Sequence, residues 1–272
     1  MIVNGNGHDA ARVGVLNLMP LKEVTERDFI RLFSAIEEPV ELVWLRLRSH
    51  VSRHTSQAHM DELYTYFDEA TARGLDGIVI TGAPVESLSF EEVTYWPELC
   101  AIFDYCRARV HNIIYICWAA QAGLYYHYDI PKYPLPKKMF GIYSQRLLSP
   151  DMPLFKDFGD EFSMPHSRHT EVRKTDILAC KGLQIAAESA ECGVSVVTAR
   201  RGREVYITGH MEYAADTLDA EYRRDKDKRA DVGLPEHYYL DDIPGRMADA
   251  CWQPYAVLLY RNWVRSLLSD KD

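Results

Sequence analysis

The segment Asn112 to Tyr128, NIIYICWAAQAGLYYHY, decides the fold. Ile113, Ile114 and Ile116 form the β-branched run of a buried strand, while Ala119, Ala120, Gln121, Ala122 and Leu124 suit a helix. The strand-to-helix switch therefore falls at Cys117-Trp118. Such a turn exposes the side chain at the strand's C-terminal end. A thiol there also sits over the helix N-terminus, whose unpaired N–H groups and dipole favour the thiolate. Cys117 is the candidate nucleophile.

Upstream, Val13 to Leu18 reads as a first buried strand, and Phe29, Ile30, Leu32, Phe33 and Ile36 recur at helical spacing after Pro20. Pro39 ends that helix, Val40 to Leu47 supplies a second strand with one wet face, and Ser49 to Gln57 reads as polar loop. Helical patterning is expected around Leu63 to Ala70. Gly77 to Thr81 is a third strand breaking into Gly82-Ala83-Pro84, and Glu91 to Arg109 is the helix that delivers the chain to the Cys117 strand. Strands alternating with helices at this spacing predict an α/β fold: a doubly wound, mostly parallel sheet flanked by helices. Its functional loops lie outside the strands' C-terminal ends.

Downstream, Pro131, Pro134 and Pro136 interrupt the pattern. Extended segments follow near Met139 to Leu148, Leu183 to Glu188, Val194 to Ala199 and Glu204 to Thr208. Arg200 to Arg203 turns one strand into the next, which ends at Gly209-His210-Met211-Glu212. Helices are expected from Thr217 to about Lys228 and from Pro254 to Leu268. We read residues 1–272 as one domain, with 1–12 a short N-terminal extension.

The 272 residues are 47% hydrophobic and 26% charged, enough apolar content for one large globular core. The formal charge of -9 argues against non-specific binding to nucleic acid or anionic membranes. No apolar run approaches the roughly 20 residues that span a bilayer, and MIVNGNGHDAARVG lacks the apolar core of a signal peptide, so a cytoplasmic location is expected. Six cysteines without a C-x-x-C pair point to reduced thiols rather than a zinc ribbon or a disulfide scaffold.

A cysteine nucleophile needs a base and a group that orients the base, assembled by folding. His210 and Glu212, two apart in extended or tight-turn backbone, can point to the same side. Spacing alone does not single out His210 among ten histidines. Pro165-His166-Ser167-Arg168-His169-Thr170 is a second polar concentration, suited to a small amino acid. Its histidine spacing lacks the companion Cys or carboxylates of a zinc site, so no metal is expected. Tyr222-Arg223-Arg224-Asp225 reads either as a solvated helix face or as an arginine clamp for a carboxylate. Tyr125, Tyr126 and Tyr128 read as packing.

Six stretches in order, GVLNLMP, TGAPVE, YWPEL, ICWAAQAGLYYHY, PHSRHTEV and TGHMEY, resemble the homoserine O-acyltransferases of methionine biosynthesis, a likeness running from Val13 to Trp263. The resemblance implies a fold similar to the class I glutamine amidotransferases. It implies transfer of an acyl group from coenzyme A to an amino-acid hydroxyl, with acetyl-CoA as co-substrate and no other cofactor. It places the acyl-thioester cysteine at Cys117, the base at His210 and the orienting glutamate at Glu212. Substrate contacts fall on Lys138, Ser167 and Arg224, and the position linked to acyl-CoA choice on Glu86, where glutamate goes with acetyl and glycine with succinyl. On this reading the backbone N–H groups of Trp118 and the Val85-Glu86 loop form the oxyanion hole, and Trp118 with the following tyrosines keeps water out.

The sequence departs from the family pattern in three places. The chain begins close to its first strand, without the longer N-terminal arm usual in the family, although a homodimer is still expected. Ala119 stands where glycine is more common, and GHMEYA replaces GHPEYD, so Met211 and Ala214 are expected to remodel the loop carrying the base and tune acceptor size. L-serine is the nearest alternative acceptor, one methylene from L-homoserine and worth only about 1–3 kcal/mol in a pocket. A glutaminase-type amide hydrolase is the alternative from another class. Against it, the Cys117 turn lacks the glycines of a glutaminase elbow.

Overall fold

The computed structural model describes residues 10–52, 54–227 and 232–269. Its first half alternates as the sequence pattern demands: β1 (Ala11–Leu16), α1 (Lys22–Ser34), β2 (Val40–Arg46), α2 (Gln57–Leu63), β3 (Thr65–Tyr66) and α3 (Glu69–Ala72). Then come β4 (Gly77–Ile80), α4 (Trp96–Arg109), β5 (Asn112–Ile116) and α5 (Trp118–Tyr128). The second half is mostly strand: β6 (Tyr133–Leu147), β7 (Glu161–Glu171), α6 (Lys174–Ala179), β8 (Leu183–Ser189), β9 (Gly193–Ala199), β10 (Glu204–Ile207), α7 (Thr217–Lys226) and α8 (Gln253–Ser269).

All ten strands join one sheet in the order β3-β2-β1-β4-β5-β10-β9-β8-β6-β7. The strands from β3 to β10 pair in parallel, and those from β10 to β7 pair antiparallel. β1 has β2 on one side and β4 on the other, so the winding reverses beside it. Period-two alternation then divides the core. Ile78, Ile80, Ile113 and Tyr115 face the layer holding α4 and α5, whereas Val79, Ile114 and Ile116 face the layer holding α1 and α8. This explains why β4 and β5 are apolar at nearly every position: each is covered on both faces.

Several boundaries differ from expectation. The stretch from Leu63 to Ala70 is not one helix, because Thr65–Tyr66 pairs with β2 at the sheet edge and a separate short helix follows. The helix expected from Glu91 begins at Trp96, with Pro97 in its first turn. Pro165 to Thr170, read only as a polar concentration, lies on the edge strand β7, where a proline is tolerated. β1 starts at Ala11, inside the expected extension, whose first nine residues lie outside the described ones. So does Lys228, the expected end of α7.

Candidate active site

The ends of β1, β4, β5 and β10 meet at one edge of the parallel half-sheet, beside the winding reversal where such folds place their ligands. Cys117 follows β5 with φ 52 and ψ -116, the sharp conformation of a nucleophile elbow. A non-glycine residue held there costs about 1–3 kcal/mol. The turn is pinned by the Cys117 N–H donating to the Ile207 carbonyl of β10 at 2.7 Å. Trp118 is the first residue of α5, so its N–H has no acceptor within the helix. Gly82 after β4 lies so close that a Cβ added to it would stand 3.2 Å from Cys117 Cβ.

His210 follows β10. Its N–H donates to the Pro165 carbonyl at 2.8 Å, its Nδ1 lies 2.7 Å from Glu212 Oε1, and its ring stacks on Tyr213 with centroids 4.1 Å apart. Cys117 lines the same cavity head as this imidazole. With Nδ1 held by Glu212, Nε2 is left for the thiol. Burial by itself would push the imidazole down, but the Glu212 carboxylate hydrogen-bonded to it and a Cys117 thiolate hold it well above its ordinary value. The expected trio is thus assembled by two parallel neighbours, β5 and β10.

Cys117 and His210 open into a cavity of about 790 Å³ that Glu86, Lys138, Ser167 and Arg224 also line. Ser167 Oγ donates to Glu221 Oε2 at 2.6 Å and Tyr213 OH to Glu221 Oε1 at 2.7 Å. Lys138 Nζ lies 3.4 Å from Asp225 Oδ2 and 3.8 Å from Glu221 Oε2, and Arg224 Nε donates to Asp225 Oδ1 at 2.8 Å. This wall therefore offers two cations and two carboxylates, charges of both signs that a zwitterion can meet. Glu86 reaches in from the loop after β4. Burial raises its carboxyl above the usual range, opposed by His169, His210 and Lys138.

Sequence reasoning missed Tyr213 and Glu221 as cavity residues, and named His169 and Asp225 only within longer polar stretches. The signal for two of them was present, since Glu221, Arg224 and Asp225 stand at i, i+3 and i+4 on one face of α7. Other expectations are corrected. The Trp118 side chain is fully buried against Phe90 and Tyr95, not in the cavity, so it cannot shield a thioester by contact. Tyr125 and Tyr126 pack on the Phe90-Trp96-Phe103 cluster, which is the packing role expected of them. Ala119 and Met211 are buried in the two core layers, and neither they nor Ala214 line the cavity. They can act on acceptor size only through packing. His166 and His169 sit on opposite faces of β7 and cannot share a metal: His166 is buried between Arg168 and Cys192, and His169 faces the cavity. Elsewhere, Glu191, Glu236 and His237 bring ligand atoms within 4.8 Å of one another, but Glu236 is engaged by Lys137 and Tyr143.

A doubly wound, mostly parallel α/β sheet with a cysteine at the sharp turn after β5 is a fold like that of the class I glutamine amidotransferases. Solved structures agree on the fold. A glutamine amidotransferase from Thermotoga maritima superposes with TM-score 0.63 at 12% identity over 96% of this chain and 99% of that one. Another, from Methylobacillus flagellatus, gives 0.60 at 14% identity over 94% of each chain. Sequence carries the matter further. The family model described as homoserine O-succinyltransferase matches residues 6–271. A homoserine O-acetyltransferase of Bacteroides fragilis is 51% identical over 93% of this chain and 83% of its own length. One of Brevibacillus brevis is 45% identical over the same shares. The chain belongs to the homoserine O-succinyltransferase family and is a homoserine O-acyltransferase, an enzyme acting on a small amino acid and an acyl donor. Among the described residues no helix is long and apolar enough to cross a membrane.

Proposed function

We propose that the enzyme moves an acetyl group from acetyl-CoA to the hydroxyl of L-homoserine, in methionine biosynthesis, through an acetyl thioester on Cys117. The observation that carries this reading is Cys117 beside the hydrogen-bonded pair His210-Glu212, at the head of a cavity whose opposite wall is zwitterion-compatible. In the first half-reaction the Cys117 sulfur attacks the thioester carbonyl, the carbon–sulfur bond to coenzyme A breaks, and His210 returns a proton to the departing thiolate. In the second, His210 accepts the proton of the acceptor hydroxyl as it attacks the acetyl carbon, and Cys117 leaves. The proposed oxyanion donors are the N–H groups of Trp118 and Glu86. The Val85 N–H is already committed to the Ala83 carbonyl at 2.9 Å. Each such donor is typically worth about 3 kcal/mol.

The family description says succinyl and the relatives' names say acetyl, and Glu86 is our reason for choosing acetyl. Its carboxyl is already raised by burial, so a succinyl carboxylate beside it would add a second poorly solvated negative charge. Lys138, Ser167 and Arg224 are assigned to the acceptor's charged ends and hydroxyl.

The test is intact mass spectrometry after incubation with acetyl-CoA or succinyl-CoA, followed by L-homoserine or L-serine. An acetyl adduct lost on mutation of Cys117 to alanine and discharged by L-homoserine is expected. No adduct with either donor would sink the mechanism, and preferential discharge by L-serine would change the acceptor. Glu86→Gly is expected to move donor choice towards succinyl-CoA, and unchanged choice removes Glu86 as selector.

A further inference from the structure

Glu86 reaches the cavity from a loop, and one side chain from beyond α5 grips that loop. Residues 81–95 join β4 to α4 without a helix or strand. Inside the loop the Val85 N–H donates to the Ala83 carbonyl at 2.9 Å and the Leu88 N–H to the Val85 carbonyl at 3.1 Å, bonds that fold it on itself. Lys132, which lines the same cavity, donates from Nζ to the Glu86 carbonyl at 2.7 Å and also to the Leu88 carbonyl. Its ammonium stands 4.7 Å from the centroid of the Phe90 ring, which is buried and stacked on Tyr125. An ammonium carries three donors, so one side chain can hold both carbonyls at once.

The main chain of Lys132 is itself held on both sides. It stands just past the far end of α5, the helix that Cys117 opens. That helix closes with Asp129 at φ 57, its N–H shared by the Leu124 and Tyr125 carbonyls, and with the N–H of buried Ile130 donating to the Leu124 carbonyl at 3.3 Å. On the other side Tyr133 begins β6 and pairs with Glu171 of β7. A single side chain thus ties the helix of the nucleophile to the loop that carries Glu86.

We propose that Lys132 is a positioning residue for the choice of acyl donor: by holding the carbonyls of Glu86 and Leu88 it fixes the Glu86 carboxyl relative to an acyl group carried on Cys117. With the ammonium removed, the loop is free to carry Glu86 away from the nucleophile, and a succinyl chain no longer meets a fixed carboxyl. Acetyl has no carboxylate to be repelled, so its transfer depends less on that placement. Lys132 acts on the donor only through the main chain of the loop. The inference rests on reading Cys117 as the acyl carrier and Glu86 as the donor selector.

The experiment compares rates of succinyl and acetyl adduct formation, by intact mass over a range of succinyl-CoA and acetyl-CoA concentrations, in the full chain and in Lys132→Met, Lys132→Arg, Glu86→Gly and the Lys132→Met/Glu86→Gly double variant. Lys132→Met is expected to raise the succinyl-to-acetyl ratio about tenfold or more, the scale of a lost charge-assisted hydrogen bond. Lys132→Arg, which keeps N–H donors, should restore most of the wild-type preference. In the Glu86→Gly background Lys132→Met should change the ratio no further, because both substitutions act through the same carboxyl. Hydrogen exchange, which needs no donor, should quicken in residues 84–90 of Lys132→Met and stay unchanged in residues 112–116. An unchanged ratio or unchanged exchange in Lys132→Met, while Glu86→Gly shifts the ratio, overturns this proposal alone. Equal weakening of both donors, additive with Glu86→Gly, also overturns it, since Lys132 would then touch the donor itself. A Glu86→Gly enzyme with unaltered donor choice defeats the selector reading, and this proposal with it.

Discussion

Gly209→Ala tests whether the position of His210 is set by a close backbone contact rather than by His210's own partners. Gly209 joins β10 to His210, and an added Cβ would stand 2.6 Å from the Pro165 carbonyl oxygen, with Met164 equally close. Ordinary contact begins near 3.4 Å, so the two backbones must separate by 3.4 minus 2.6, or 0.8 Å. That carbonyl is the acceptor of the His210 N–H, at 2.8 Å. The strain cannot be relieved without moving the histidine. Overpacking of this kind costs roughly 1–3 kcal/mol of stability, and a misplacement near 1 Å in a catalytic group costs about 100-fold in rate. The assay is acetyl transfer at saturating substrates, with thermal unfolding to confirm a folded protein. Gly159→Ala serves as the control, since its methyl would meet only the Glu161 carbonyl oxygen, at 3.7 Å. A folded Gly209→Ala enzyme within about threefold of the wild-type rate would refute the reasoning, because a displacement near 1 Å should cost far more.

Two further substitutions probe what lies behind the cavity wall. Trp118→Ala removes a fully buried indole and is expected to cost about 3–5 kcal/mol in denaturant unfolding. It should leave the ratio of acetyl-CoA hydrolysis to transfer unchanged, and a raised ratio at undiminished stability would contradict that placement of the ring. Asp28→Asn should change stability with pH. The native carboxyl is raised from 3.8 to about 7, so its favourable contribution is full below pH 3.8 and is lost as pH rises through 7. At roughly 1.4 kcal/mol per unit, the variant should gain about 4 kcal/mol on the wild type between pH 4 and 8, read from paired urea titrations. A difference that stays flat across that range counts against a buried, neutral Asp28.

The parallel half of the fold and the location of Cys117 were legible because both rest on local rules. A β-branched run meeting an alanine-rich helix marks the elbow, and alternation of strands with helices marks a doubly wound sheet whose loops gather at one edge. His210 and Glu212 were legible as a pair through their spacing of two, but not as the base among ten histidines. That choice depends on β10 inserting beside β5, a pairing between residues about ninety apart. The antiparallel extension was read less well. β7 escaped because Pro165 and its run of polar residues carry no strand signature, and only its place at the sheet edge makes such a strand tolerable.

The sequence by itself therefore determined the fold class, the candidate nucleophile and, through six ordered motifs, the family. Tertiary structure decided which side chains face the cavity. Trp118 turned inward to the core while its neighbour Cys117 turned outward, Ala119 proved to be packing, and Tyr213 and Glu221 came to line the wall. It also laid Arg31 of α1 against the main-chain carbonyls of Glu212 and Tyr213. The physical reason is that periodicity specifies an element and its buried face, whereas a site is made where several elements end together. Which groups meet there depends on long-range strand order and on the charges each buried group finds around it.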